Sequence, residues 1–296
     1  RVGLAARGVA LNADAVDNSA GVDTSDHEVN LKILLGLAET AGRIDRAGRD
    51  ALLAEASDDV VAAVLGHVAG QNRALTRAEA ASAEDLDGHV AVMVSLVRAG
   101  RLDPGDHALP GVAAVEERRA LGRGLYRPEL AAVMAAEKVR LTEVALGGTL
   151  PDRAELAVLA EDYVPTALRT VTEGLMAGHP LRREIVATRL VNEVVDRMGL
   201  VWVAAAARTS GRPTDEVLGA YWMARCTVDL AGWWDAIDDV PVDQREVLWG
   251  PAADLVATVA EDYLRRGVAA TWEWSEVELG RPAAGVLARW RPGGGL

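Results

Sequence analysis

Residues 17 to 30 carry the residue types in this chain that are best suited to bind a ligand: Asp-Asn-Ser-Ala-Gly-Val-Asp-Thr-Ser-Asp-His-Glu-Val-Asn. Small, turn-forming residues run from Asn18 to Gly21, and Ser25 precedes Glu28 by three positions, which is the pattern of a capping box at a helix start. A helix N-terminus offers free backbone N–H groups and a hydroxyl to an anion. In a functional interpretation, the segment therefore offers polar groups at the turn that begins at Asn18 and an anion-binding hydroxyl at Ser25.

The same residues also have a purely structural interpretation. Asn and Gly are common in tight turns, and Ser followed three positions later by Glu begins many helices that bind nothing. The acidic residues Asp23, Asp26 and Glu28 surround Ser25 and would repel a dicarboxylate. A functional site here requires a positive group from elsewhere in the protein.

Two elements would position this segment. Asp14–Asp17 is predicted to be a short strand, and a helix is predicted from Ser25 to near Gly42. A strand, a tight turn and a helix N-terminus are the arrangement by which an α/β nucleotide-binding sheet presents a ligand. The predicted fold class is mainly α: a short α/β remnant, the edge of a nucleotide-binding domain, followed by a multi-helix C-terminal domain.

Beyond this edge the sequence shows helical periodicity and no convincing strand. Apolar residues from Leu86 to Val97 recur at the spacing of one helix face, while Pro128, Pro180 and Pro241 mark helix starts and Gly267 marks a helix end. We predict residues 1–42 as the C-terminal edge of a catalytic domain, 43–290 as a helical domain and 291–296 as a disordered tail.

Composition excludes several classes of partner. The 296 residues carry a formal net charge of −13, which argues against nucleic acid or an anionic membrane surface as a partner, since both attract clustered positive charge. The longest apolar run, Leu200 to Ala207, is far shorter than a membrane span. Cys226 is the single cysteine, so no disulfide framework exists and a cytoplasmic location is expected.

Other groups of functional residue types give weaker signals. The five histidines lack zinc-binding spacing, so no metal site is expected, and His179 before Pro180 is interpreted as a helix cap. A third interpretation is an all-α enzyme that binds Mg²⁺ through the acidic run Asp235, Asp238 and Asp239. Seven of the eight tryptophans follow residue 220, and they fit either core packing or an interface.

Three stretches of this chain resemble the large bacterial NAD-specific glutamate dehydrogenases. The first is residues 17–33, of the form DNSAGVD-x-SDHEVN-x-KI; the second is Gly124-Leu-Tyr-Arg-Pro-Glu-Leu-Ala; the third begins His179-Pro-Leu-Arg-Arg-Glu-Ile. They occur in the order in which that family has them. The first departs from the ordinary hexameric glutamate dehydrogenases, because Ser19-Ala20-Gly21 replaces their more widespread Ala-Gly-Gly.

The resemblance implies that the chain is the C-terminal portion of a much larger enzyme. Such an enzyme oxidatively deaminates L-glutamate to 2-oxoglutarate and ammonia with NAD as cofactor, and would be a homo-oligomer. Matched position by position, Asn18 lies where the family places the Asn that faces the nicotinamide. Ser25 lies where the family places the Ser that binds the side-chain carboxylate of glutamate.

The resemblance also shows what this chain lacks. The family uses active-site lysines and an aspartate for proton transfer, whereas Lys32 and Lys138 are the two lysines here and neither has such a setting. We therefore expect no catalytic residue in this segment, no activity from it alone, and a structural, assembly or regulatory role for its helices. The alternative from another class is a non-catalytic all-α scaffold that binds a protein partner.

Overall fold

A computed structural model of the chain describes residues 1–227 and 230–267. It divides into two compact units, Arg1–Leu200 and Val201–Leu296. Every regular element in the described ranges is a helix, so the mainly-α prediction is confirmed. None of the helices in these ranges is both long enough and apolar enough to cross a lipid bilayer.

The first unit contains eleven α-helices, and three short 3₁₀ turns lie between α8 and α11. The helices are α1 Val2–Ala5, α2 Asp14–Asp17, α3 Ser19–Thr40, α4 Arg46–Glu55, α5 Ser57–Ala81, α6 Leu86–Arg98, α7 Val112–Ala120, α8 Arg127–Gly147, α9 Ala157–Glu161, α10 Thr166–Thr172 and α11 Arg182–Met198.

Helix α8 forms the centre of this unit, because α1, α2, α5, α6 and α11 all pack against it. Its side chains from Leu130 to Met134 are almost completely buried, as are Leu141 and Ala145. Helix α3 packs against α5, α4 and α10. The core of this unit thus lies between long helices, and α3 is one of its outer layers.

The segment that precedes α8 is fixed by a buried ion pair. The Arg118 guanidinium donates to both carboxylate oxygens of Glu129 at 2.6 and 2.9 Å, and the Tyr126 N–H donates to the same carboxylate at 2.7 Å. Glu129 is fully buried, and the guanidinium lies 4.1 Å from the centre of the Tyr126 ring. A Cβ at Gly124 would lie 2.6 Å from a backbone carbon of Ser82. The Gly-Leu-Tyr-Arg-Pro-Glu-Leu stretch is therefore built for packing.

The second unit contains four described helices: α12 Trp202–Ser210, α13 Thr214–Thr227, α14 Leu230–Asp239 and α15 Val242–Arg266. Trp222, Trp234 and Trp249 are buried, and the rings of the last two lie 4.7 Å apart. These three tryptophans follow the core-packing interpretation. Trp233, also on α14, is half-buried, and the remaining late tryptophans, at 272, 274 and 290, lie outside the described residues.

The predicted strand at Asp14–Asp17 is wrong, because these residues form the single helical turn α2. Arg1 makes ion pairs with both Asp14 and Asp17, which secures the turn. The residues between the two aspartates are Ala15 and Val16, too short an apolar run to hold a strand that has no partner in the described ranges. The expected α/β remnant is thus helical.

Several helix boundaries were predicted correctly. Gly42 adopts a left-handed φ of 68° just after α3, and α8 begins at Arg127 beside Pro128. Helix α15 ends at Arg266, where Gly267 has a φ of 72°. The predicted domain segments 1–42 and 43–290 stay predictions, and the predicted tail 291–296 lies outside the described residues.

Candidate functional site

The helix that carries the predicted site begins earlier than its sequence pattern indicates. Helix α3 starts at Ser19, with Asn18 as its N-cap residue, so the capping box predicted for Ser25 and Glu28 is wrong. The Ser25 hydroxyl donates to the Gly21 carbonyl oxygen at 3.1 Å, and Glu28 is paired with Lys32 one turn further on. Four-residue spacings of this kind are typical of a helix interior, so Ser25 does not offer a helix N-terminus.

Asn18 and Ser25 lie on the same outer face of the first unit. At about 100° per residue, Asn18, Val22, Ser25 and Val29 fall within about 60° of one another around the helix axis. All four are exposed, and the two valines are 60% and 52% exposed. The buried positions of α3, which begin at His27 and continue with leucines, lie on the opposite side. The two predicted site residues are therefore presented together, away from the core.

The inner face of α3 is fastened by polar residues on three successive turns. The Asp23 carboxylate accepts from Nδ1 of His67 on α5 at 2.7 Å, and Nδ1 of His27 lies 3.2 Å from the other carboxylate oxygen. The His27 ring stacks on Tyr163, with ring centres 4.4 Å apart. The Asn30 side-chain amide donates to the Tyr163 hydroxyl at 3.1 Å.

A buried histidine makes the third attachment of the inner face. His179 is 4% exposed, its Nε2 lies 3.1 Å from the backbone oxygen of Asn30, and its Nδ1 accepts the Leu181 N–H at 3.1 Å. Because Nδ1 accepts, the proton must sit on Nε2, which donates to α3. The prediction that His179 caps a helix is only partly correct. Helix α11 begins at Arg182 with Leu181 as its N-cap residue, and His179 lies two positions earlier.

The pKa values of this cluster follow from burial and pairing. Burial alone would raise the pKa of Asp23, but hydrogen bonds from His27 and His67 outweigh it and lower that pKa. Burial would lower the pKa of His27, but its hydrogen bonds to Asp23 raise it. Burial raises the pKa of Tyr163 to about 12, so this hydroxyl stays neutral at physiological pH.

A cavity of about 310 Å³ opens beside the start of α3. Its lining is rich in carboxylates, side-chain amides and hydroxyls, it includes neither Arg nor Lys, and Ser25 is not part of it. The lining residues are Asp14, Ala15, Asn18, Ser19, Val22, Asp23, Asp26, His67, Gln71, Thr188 and Asn192. Its carboxylates disfavour an anion, so the groups that it suits are hydroxyls, amides or a cation.

The turn that leads into Asn18 is held by Arg127, which lies in the second of the three stretches that resemble the family. Nε of Arg127 donates to the Asn12 side chain at 2.6 Å, and a second guanidinium nitrogen donates to the Thr76 hydroxyl at 3.0 Å. Asn12 in turn donates to Asp17 at 3.0 Å. Arg127 therefore links the start of α8 to α5 and to the residue that precedes Asn18.

Within the described ranges, no group of three or more His, Cys, Asp or Glu side chains is arranged to hold a metal ion. The acidic run Asp235, Asp238 and Asp239 lies at the end of α14. The Mg²⁺ interpretation requires a second acidic group that faces this run across a cavity, and the described residues give it no such support.

Two families match this chain. The family described as "Bacterial NAD-glutamate dehydrogenase, catalytic domain" matches residues 1–78, which include all of α3, and "Glutamate dehydrogenase, C-terminal" matches residues 122–248. The chain belongs to the bacterial NAD-glutamate dehydrogenase family. The resemblance read from the three sequence stretches is thereby confirmed, and all three stretches lie within the matched ranges.

Relatives in this family include three proteins named NAD-specific glutamate dehydrogenase. The one from Pseudomonas aeruginosa is 34% identical over 271 residues, which cover 92% of this chain and 16% of the relative. Those from Mycobacterium tuberculosis and Halomonas elongata are 38% and 33% identical, over 73% and 80% of this chain. The chain thus spans only 13 to 16% of the length of these relatives.

Sequence reasoning missed the residues that attach α3 from within. Asp23 was noted only for its repulsive charge, whereas the structure pairs it with two histidines. Tyr163 and His179 come from distant segments, 133 and 149 residues from Asn30. The one available signal was the spacing of Asp23, His27 and Asn30, which places three polar residues on the same face as the buried leucines.

Proposed function

We propose that this chain is the C-terminal portion of an NAD-dependent glutamate dehydrogenase, and that the outer face of α3 forms one wall of its substrate site. The observation that carries the proposal is the placement of Asn18 and Ser25. The family resemblance implies that these residues contact the nicotinamide and the side-chain carboxylate of glutamate. Both lie on the exposed face of a helix whose opposite face is buried.

The spacing of the two residues suits two ligands bound side by side. Ser25 follows Asn18 by seven positions, which corresponds to about 10 Å along the helix axis. Val22 and Val29 are exposed on the same face and would be covered by the upstream catalytic domain of the longer protein. Asn18 also lines the cavity, whose carboxylates and amides are suited to the carboxamide and hydroxyls of a nicotinamide riboside.

Ser25 must change its hydrogen bond in order to bind a carboxylate. Its hydroxyl donates to Gly21, and rotation about χ1 would redirect the proton to the substrate. A hydrogen bond to a charged carboxylate is about twice as strong as one to a neutral carbonyl, which makes the exchange favourable. Because Asp23 and Asp26 lie nearby, the compensating positive charge comes from the upstream domain.

This chain alone does not catalyse glutamate oxidation under the proposal. Lys32 is paired with Glu28, and Lys138 makes a 2.7 Å ion pair with Asp196, so both lysines are engaged in ion pairs within the unit. The helices after α3 brace the catalytic wall and contribute to assembly of a cytoplasmic homo-oligomer. No NADH formation is expected from glutamate and NAD with these 296 residues alone, and turnover would contradict this part of the proposal.

The experiment that tests the substrate role uses the full-length protein that contains this chain. Ser25→Ala is expected to raise the KM for glutamate by about 10- to 100-fold, the value of one hydrogen bond to a charged group. Thr24→Ala is the matched control, because the Thr24 hydroxyl makes the same kind of bond, to Ala20 at 2.8 Å, but points about 100° away around the helix. Equal KM values for both variants and the wild type would refute the role of Ser25.

A second variant tests the cofactor-binding role of Asn18. Asn18→Ala is expected to raise the KM for NAD while leaving the KM for glutamate nearly unchanged. A wild-type full-length protein that forms no NADH from glutamate would favour the alternative, a non-catalytic helical scaffold that binds a protein partner.

A further inference from the structure

We propose that His179 and Tyr163 are positioning residues, which hold α3 at the register and rotation that its outer face needs. The inference rests on the proposed function for its consequence in catalysis, but the attachment itself is independent of that function. Both residues lie in the part of the chain matched by the C-terminal family, whereas α3 lies in the part matched by the catalytic domain. The helical region would thus act on the site through two named side chains.

His179 is held so that it can donate in one direction only. The Leu181 N–H occupies its Nδ1 at 3.1 Å, which leaves the proton on Nε2 and directs it at the Asn30 carbonyl oxygen, also at 3.1 Å. With 4% exposure, the ring has little freedom to find another acceptor. A side chain that donates to a backbone carbonyl in the middle of a long helix fixes the position of that turn along the helix axis.

Tyr163 attaches the same part of α3 at two points. Its hydroxyl accepts from the Asn30 side chain at 3.1 Å, and its ring lies against His27 at an interplanar angle of 17°. Together with His179, it contacts the helix at residues 27 and 30. Ser25 and Val29 occupy the same turns on the outer face, so a shift at the attachment moves the outer face by the same amount.

Directional contacts matter here because the rest of the inner face is apolar. Leu31, Leu34, Leu35 and Ala38 are buried, and their packing opposes separation of the helix from its neighbours. Such non-directional packing leaves small rotations less restrained than hydrogen bonds do. A displacement of about 1 Å at a substrate-binding group can lower the rate about 100-fold. The hydrogen bonds thus fix the position and rotation of α3, whereas the apolar contacts hold the helix against its neighbours.

Two substitutions at His179 distinguish its hydrogen bond to Asn30 on α3 from its hydrogen bond with the Leu181 N–H. In His179→Gln the amide nitrogen reaches the position of Nε2, so donation to Asn30 is retained. In His179→Asn only the position of Nδ1 is reproduced, so the bond to Leu181 can persist while the bond to Asn30 is lost. Hydrogen exchange of the α3 amides in the 296-residue chain reports the result.

Exchange of the amides around Asn30 is expected to be about 10-fold faster in His179→Asn and within about twofold of wild type in His179→Gln. Equal exchange in the two variants, whether fast or slow, would overturn the proposal for His179. Tyr163→Phe keeps the stacked ring and removes the hydroxyl, and it provides the same readout if His179→Asn does not fold. Unchanged exchange in Tyr163→Phe would overturn the proposal for Tyr163.

Activity of the full-length protein provides the second arm. His179→Asn is expected to raise the KM for glutamate about 10-fold, and His179→Gln to restore it. If the wild type forms no NADH from glutamate, the proposed function fails while the exchange experiment still decides the attachment. A different result refutes the inference: the wild type is active, the α3 amides exchange faster in His179→Asn, and the KM for glutamate does not change. His179 would then attach α3 without positioning its outer face.

Discussion

Removal of the Glu129 carboxylate is expected to destabilise the first unit more than most single substitutions. Glu129 is fully buried and receives two hydrogen bonds from Arg118 and one from the Tyr126 backbone. Glu129→Ala leaves Arg118, which is 9% exposed, without its carboxylate partner, and breaking such a buried pair costs about 3–5 kcal/mol. Glu129→Gln keeps the shape and the bond from Tyr126, so its cost is expected to be about 2 kcal/mol.

Urea unfolding followed by far-UV circular dichroism measures these differences. With an m value of about 2 kcal/mol per M, Glu129→Ala lowers the midpoint by roughly 1.5–2.5 M and Glu129→Gln by about 1 M. The double variant Arg118→Met, Glu129→Gln removes both charges and is expected to be more stable than Glu129→Ala. A loss below about 1 kcal/mol in Glu129→Ala, or a double variant less stable than it, would refute the reasoning.

Further predictions concern pH and close packing. Because the pKa of Asp23 is lowered, its carboxylate stabilises the fold at pH values above the ordinary pKa of 3.8. Because the pKa of His27 is raised, its protonated ring stabilises the fold fully below pH 6.5, and the His27 contribution is lost as pH rises through the raised pKa. The difference in urea midpoint between wild type and His27→Gln should therefore shrink from about pH 5.5 to about pH 8.5, and a constant difference would contradict it. Gly124→Ala should cost at least about 2 kcal/mol, because its Cβ would lie 2.6 Å from a Ser82 backbone carbon. Gly147→Ala, with nothing within 4 Å of its Cβ, should be neutral or slightly stabilising in the same urea unfolding experiment.

The helices and most of their ends could be predicted from sequence because their signals are local. Gly42, Pro128 and Gly267 mark helix boundaries through φ preferences that each residue carries by itself. The errors at Asp14–Asp17 and Ser25 have different origins. The two apolar residues Ala15 and Val16 are too short a run to specify a strand. A four-residue pattern cannot show that the helix has already begun, and α3 begins six residues before the Ser that matched a cap.

The candidate site was only half accessible to sequence reasoning. Asn18 and Ser25 were found through family resemblance, and their seven-residue spacing already places them on one face once the segment is known to be helical. The residues behind α3 could not be found in the same way. Contacts from His179 and Tyr163 to Asn30 span 149 and 133 residues, and no periodicity within one element encodes such a pairing.

The most direct test of the central claim combines one variant with two substrates in the full-length protein. L-norvaline has the carbon chain of glutamate with a methyl group where the side-chain carboxylate would be. If Ser25 binds that carboxylate, Ser25→Ala lowers kcat/KM for glutamate by about 10- to 100-fold and leaves kcat/KM for L-norvaline almost unchanged. An equal loss for both substrates, or no loss for glutamate, would contradict the claim that the outer face of α3 recognises the carboxylate.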